Sequence, residues 1–129
     1  MLNQALPTQQ NASKCILVVD DAIDLRLSLA ALLRIVGFTV YEAPDAAQAL
    51  ALLASSLPVD ALVTDVQMPG TMDGLALAAH VRATYPGIPV VVASAADYSQ
   101  QLPHPNMLFL RKPYPPEQLL AHLERVLLP

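Results

Sequence analysis

Two hydrophobic periods alternate along this chain, a strand-like one and a helical one. Lys14–Val19 carries a short β-branched apolar run of the kind shown by a strand buried on both faces. Across 23–36 the apolar positions Leu25, Leu29, Leu32, Leu33 and Val36 form a helical stripe, and Gly37 is a natural left-handed cap to end it. Phe38–Ala43 reads as strand; Asp45 then caps a helix running to about Ser56, stopped before Pro58. Val59–Thr64 is a third strand, Gly74–Tyr85 a third helix capped by Asp73, and Ile88–Ala93 a fourth strand after Pro86 and Gly87. Met107–Leu110 is a short fifth strand, and Pro115 and Pro116 precede a last helix over Glu117–Leu128. Residues 1–13 are polar, carry Pro7 and show no periodicity, so they are expected to be a disordered tail ahead of one domain over 14–129.

Strands alternating with helices of this length imply βαβ units, a parallel sheet and right-handed crossovers. An open parallel sheet does its chemistry beyond the C-terminal ends of its strands. Strand one ends in Asp20 and Asp21, strand three in Asp65 and strand four in Ser94, and Lys112 follows strand five. Three carboxylates, a hydroxyl and an ammonium therefore converge on one edge.

Composition narrows the classes. With 129 residues the chain has room for one core and not for two ordinary domains, and 54% apolar residues exclude intrinsic disorder. A net charge of −4 argues against non-specific nucleic-acid binding. Cys15 is the sole cysteine, which excludes an internal disulfide and a multi-cysteine zinc site, and it reads as a buried small hydrophobe. The N-terminus lacks a basic start followed by an apolar run, and Cys15–Val19 and Leu27–Leu33 are too short to cross a bilayer. The expectation is a soluble, cytoplasmic protein with no membrane or nucleic-acid partner. Nearly all of the 12 prolines fall in turns, in the tail or at the start of the last helix.

Three adjacent carboxylates repel unless a cation neutralises them, and a hard, oxygen-ligated cation such as Mg²⁺ suits them. A carboxylate beside such a cation and a lysine can act as a nucleophile toward phosphorus, with a serine hydroxyl donating to an equatorial oxygen. The product is an aspartyl phosphate.

Four motifs in order carry a family resemblance: Ile16-Leu-Val-Val-Asp-Asp21; Asp65-Val-Gln-Met-Pro-Gly70 with Met72-Asp-Gly74; Val91-Val-Ala-Ser94; and Phe109-Leu-Arg-Lys-Pro113. Over 14–128 the chain resembles the receiver (CheY-like) domains of two-component response regulators. The resemblance implies a flavodoxin-like, doubly wound five-stranded parallel sheet of order 2-1-3-4-5. It makes Asp65 the phosphoacceptor and Asp21, Asp20 and the backbone carbonyl of Gln67 the Mg²⁺ ligands along with it. Lys112 would pair with the phosphoryl group, through a cis bond to Pro113; Ser94 would move toward it on activation, and Phe109 would be the aromatic that swings inward. Gln67 and Ala96 are expected to tune the phosphoryl lifetime.

Two departures stand out. Thr71 lengthens the loop after Asp65 by one residue without touching the ligands. Only 95–106 remain for the fourth helix, and Pro103 and Pro105 consume part of that, so a helix of one or two turns, or a frayed one, is expected there. That puts the usual output face, built from helix four, strand five and helix five, in question.

The reading is a phosphoacceptor that takes a phosphoryl group from a sensor histidine kinase or a histidine phosphotransfer protein, hydrolyses only its own adduct, and signals by protein contact. A donor would dock on the top of helix one at Ile23 and Leu27 with the loop around Tyr114, from their nearness to Asp65 in the expected fold. The limits at Met1 and soon after the last helix lead to the expectation of a stand-alone regulator, with a receiver excised from a hybrid kinase or a longer regulator as the alternative. A haloacid-dehalogenase-type phosphatase would need an Asp-x-Asp nucleophile motif after strand one, where this chain has Asp20-Asp21-Ala22. A phosphate-independent interaction module is the other rival, kept open by the short fourth helix. His80, His104 and His122 lack metal-ligand spacing, and Tyr85 and Tyr98 receive no role.

Overall fold

A computed structural model describes residues 14–127; the tail expected over 1–13 lies outside the described residues. Five strands and four helices alternate: β1 (Cys15–Val19), α1 (Ile23–Ile35), β2 (Thr39–Ala43), α2 (Ala46–Ala54), β3 (Ala61–Asp65), α3 (Gly74–Thr84), β4 (Val90–Ser94), β5 (Leu108–Arg111) and α4 (Pro116–Leu127). All four strand pairings are parallel, in the order β2-β1-β3-β4-β5. This is the expected flavodoxin-like sheet, whose order reverses between β1 and β3.

Side chains alternate across a strand, and that alternation divides the core into two layers. Leu17, Val19, Leu62 and Val92 face α2 and α3, meeting Ala49, Leu53, Leu77 and Val81. Ile16, Val18, Val63 and Val91 face α1 and α4, meeting Ala30, Leu33, Leu119 and Leu123. Burial on both sides is why β1, β3 and β4 read as unbroken apolar runs, whereas the edge strand β2 leaves Thr39 exposed.

Caps set the element limits. Gly37 takes φ 109°, and the Gly37 and Phe38 amides donate to Arg34 and Leu33 carbonyls, closing α1 in a Schellman turn. Asp45 accepts from the Gln48 amide at 2.8 Å and Asp73 from the Ala76 amide at 2.9 Å, as expected of N-caps. β3 starts at Ala61, two residues later than expected, because Asp60 turns to β1: its amide donates to the Cys15 carbonyl (2.8 Å) and its carboxylate accepts from the Cys15 amide (2.7 Å).

The shortened fourth helix is a correction. No helix forms between β4 and β5; the described residues there run through turns and bends. The physical reason lies in the local chemistry. Asp97 accepts from the Ser99 amide and hydroxyl, an alternative to helical bonding, and Pro103 and Pro105 lack the amide protons a helix would need. Tyr98, Leu102 and Met107 instead cover the α3-side layer.

Candidate functional site

β1, β3 and β5 deliver the chemistry-bearing residues to one edge, and parallel pairing keeps their ends level: Val19 pairs with Thr64, and Asp65 with Ala93. Each strand's next residue therefore emerges at the same height. Asp20, Asp21 and Asp65 offer carboxylate oxygens all within 4.8 Å of one another, the one such cluster of potential metal-ligating residues among the described residues. Asp20 is buried, Asp65 half-buried and Asp21 exposed.

Asp20 is the most constrained. Its amide donates to the Ala43 carbonyl (3.1 Å), its carbonyl accepts from Arg26 (2.9 Å), and its carboxylate accepts from the Ala22 amide (3.0 Å) and from Lys112 Nζ (3.0 Å). Lys112 also lies 3.5 Å from Asp65 Oδ1, so one ammonium spans both carboxylates. A cis bond joins Lys112 to Pro113, as expected, and the Lys112 amide donates to the Ser94 carbonyl at 2.8 Å.

The electrostatics follow from burial and crowding. Burial raises the Asp65 carboxyl above the ordinary range; the Lys112 charge opposes that and the Asp20 charge adds to it. Burial pulls Lys112 down, but its hydrogen bond to Asp20 and the charges of Asp20 and Asp65 outweigh it and hold the ammonium above its usual value. One cation thus serves a site with three carboxylates, and a divalent cation fits the charge that remains. All-oxygen donors of this kind suit Mg²⁺.

α3 is drawn unusually close. The Gly74 amide donates to the Val66 carbonyl at 2.8 Å, and a Cβ on Gly74 would lie 1.7 Å from the Asp65 carbonyl oxygen. Only glycine lets the helix start there.

The remaining expected residues are placed as follows. Ser94 is buried, and its hydroxyl accepts from the Ala96 amide at 3.3 Å. Gln67 is exposed on the loop after β3, and its side chain donates to the Tyr98 hydroxyl at 3.4 Å. Phe109 is half-buried against the α3-side core layer. Ile23 and Leu27 are 58% and 48% exposed at the start of α1. Tyr114 lines a groove of about 440 Å³ with Leu25 and Leu29 of α1, Ala95, Pro113, Asp20 and Lys112. Burial raises the Tyr114 phenol.

Sequence reasoning missed Arg26, Gly74 as a contact residue, and Tyr98. Arg26 clamps the Asp20 carbonyl while pairing with Glu42 at 3.3 Å; a cation one turn into a helix that follows an acidic strand end was the available signal. Gly74 stood in the quoted motif but read only as a helix start.

Known proteins share this fold. The chain is 40% identical over 116 residues to the response regulator MprA of Mycobacterium ulcerans (strain Agy99), and 39% identical to MprA of Mycobacterium tuberculosis (strain H37Rv). These matches cover 87% of this chain but 49% and 50% of those proteins, so the chain spans about half the length of the curated relatives it matches. A response regulator receiver protein from Sinorhizobium medicae WSM419 superimposes with a TM-score of 0.83 at 28% identity, covering 89% of this chain and 94% of that one. The receiver domain of the hybrid histidine kinase CckA gives 0.76 at 32%, covering 88% and 99%. The response regulator TrrA from Thermotoga maritima, solved in complex with Mg²⁺–BeF, gives 0.80 at 25%, covering 88% and 98%. Residues 16–124 match the response regulator receiver domain along nearly the whole ordered sheet, and the chain belongs to that family.

Proposed function

We propose that Asp65 is the phosphoacceptor of this receiver, taking a phosphoryl group from a phosphohistidine on a sensor kinase or phosphotransfer protein. The observation that carries the reading is the position of the Asp65 carboxylate, beside the acidic pair and 3.5 Å from Lys112 Nζ at the end of β3. Asp65 Oδ attacks phosphorus, the new O–P bond forms as the N–P bond breaks, and the imidazole leaves with a proton. Asp20, Asp21, Asp65 and the backbone carbonyl of Gln67 would hold Mg²⁺, which supplies charge neutralisation at the transferring group.

The chain's own residues do the positioning. Lys112, kept charged by Asp20, balances charge on the phosphoryl oxygens as they approach Asp65. Its fixed carboxylate partner keeps it at the strand end before any phosphate arrives. Ser94 sits at the end of the neighbouring strand with its hydroxyl proton available to an equatorial oxygen once it turns toward Asp65. Phe109 on β5 follows that movement inward. The adduct then biases a two-state packing of this edge, and the signal leaves by protein contact. A histidine donor docks at the top of α1, where Ile23 and Leu27 are exposed, beside the groove at Tyr114.

The test is intact mass after incubation with acetyl phosphate, with and without Mg²⁺, on wild type and Asp65→Asn. A Mg²⁺-dependent, base-labile phosphoryl adduct absent from Asp65→Asn is expected. No adduct on wild type, combined with no spectral shift on adding beryllofluoride and Mg²⁺, would favour a phosphate-independent interaction module.

A further inference from the structure

We propose that Tyr98 is a positioning residue for loss of the phosphoryl group, its hydroxyl tying the Gln67 amide across the mouth of the site and slowing hydrolysis of the aspartyl phosphate. The inference rests on the reading of Asp65 as phosphoacceptor and adds a determinant of how long the adduct lasts.

β3 and β4 are neighbours, with Asp65 opposite Ala93, so the loops that leave them start side by side at the Asp65 end of the sheet. Gln67 lies two residues beyond Asp65 on one loop, and Tyr98 four beyond Ser94 on the other. Gln67 Nε2 donates to the Tyr98 hydroxyl at 3.4 Å, which joins the two loops. Tyr98 is held on its own side. The Asp97 carboxylate accepts from the Ser99 amide (2.9 Å) and hydroxyl (2.6 Å), and the Tyr98 carbonyl accepts from the Gln101 amide (2.9 Å). The ring is half-buried against the α3-side core layer, as is Met68 from the Gln67 loop. No helix forms between β4 and β5, and this anchored turn lies in that connection.

Hydrolysis needs a water in line with the Asp65 Oδ–P bond. Its oxygen bonds phosphorus as that bond breaks, the electron pair returns to the carboxylate, and the water's proton leaves with inorganic phosphate. The acidic pair closes the β1 side of the acceptor and Lys112 the β5 side. With those two sides taken up by charged side chains, water is proposed to approach between the two loops, which the Gln67–Tyr98 bond joins.

The experiment loads wild type, Tyr98→Phe, Gln67→Ala and the double variant with acetyl phosphate and Mg²⁺, removes the donor, and follows decay of the adduct by intact mass. Each single variant is expected to decay about three- to tenfold faster, the rate change that corresponds to one lost hydrogen bond. The double variant is expected to decay no faster than the faster single one, because both changes remove the same bond. Phenylalanine keeps the ring, so a role in packing alone would leave both the decay rate and the melting temperature of Tyr98→Phe at wild-type values. Unchanged or slower decay in Tyr98→Phe, or single effects that multiply in the double variant, would overturn the proposal. A wild type that never takes up the adduct would instead sink the phosphoacceptor reading beneath it.

Discussion

Replacing Gly74 by alanine tests whether the close approach of α3 to β3 is what positions Asp65. The added Cβ would lie 1.7 Å from the Asp65 carbonyl oxygen, 2.7 Å from its carbonyl carbon and 2.8 Å from Val66 Cα, all backbone atoms that cannot rotate away. Relief to ordinary contact requires a shift on the order of 1.5 Å between the start of α3 and the end of β3. Such overpacking costs roughly 1–3 kcal/mol, and weakening the Gly74 amide bond to the Val66 carbonyl adds about 1 kcal/mol. Alanine's better helix propensity returns less than about 1 kcal/mol at this first helical position. The net destabilisation is about 2–3 kcal/mol, which for a domain of this size lowers Tm by roughly 10 °C. The same shift moves the Asp65 carboxylate relative to Lys112, and a displacement of about 1 Å at a reacting centre can cost about 100-fold in rate. Thermal melts and the initial rate of labelling by acetyl phosphate read the two effects separately. Gly87→Ala is the control, since nothing lies within 4 Å of a Cβ there. A Gly74→Ala protein that melts and labels like wild type would refute the reasoning.

Asp65 carries a stability cost whose sign is set by burial. Its raised native pKa means the native state holds the proton over a window where the unfolded chain, titrating near ~3.9, has lost it, so stability falls as pH rises through that window. Urea midpoints without Mg²⁺ should therefore place Asp65→Asn above wild type at pH 7, with the gap closing below about pH 3.9; equal midpoints at pH 7 would contradict this. Cys15 is 2% exposed, and burial, with Asp60 beside it, raises its thiol, so an aromatic disulfide reagent at pH 8 should label it only as fast as urea unfolds the protein. Labelling of the folded protein at a rate independent of urea would count against that burial. Ile23→Glu or Leu27→Glu should slow transfer from a phosphohistidine donor by about tenfold or more while sparing labelling by acetyl phosphate, since truncating an interface anchor costs upwards of about 1–2 kcal/mol. Equal loss with both donors would place these residues in folding or chemistry instead of docking.

Much of the fold was legible because β1, β3 and β4 are buried on both faces and their runs could be nothing else. The helices announced themselves through Gly37, Asp45 and Asp73, side chains or backbones with one local job each. The segment between β4 and β5 was harder. Its two prolines warned that a helix would be short, but the competing bonds from Asp97 to Ser99 removed it altogether, and such local side-chain competition has no periodicity to read.

The site divides along the same line. Asp20, Asp21, Asp65 and Lys112 were visible because parallel strands of matched register must bring their next residues to one edge, so a charged residue after an apolar run already has its neighbours assigned. What no strand-end rule supplies is how those charges are held. Lys112 bonds first to Asp20 and only at longer range to Asp65, and Asp20 is itself fixed by Arg26 from α1 and by the edge strand through the Ala43 carbonyl. The ammonium is thus poised by a carboxylate that is not its target. Asp65 keeps only a partial share of it, which leaves its carboxyl raised by burial. On the proposed reading, a site built this way should be least stable when deprotonated and metal-free, and a cation that binds the folded state should stabilise the same edge against which Gly74 packs.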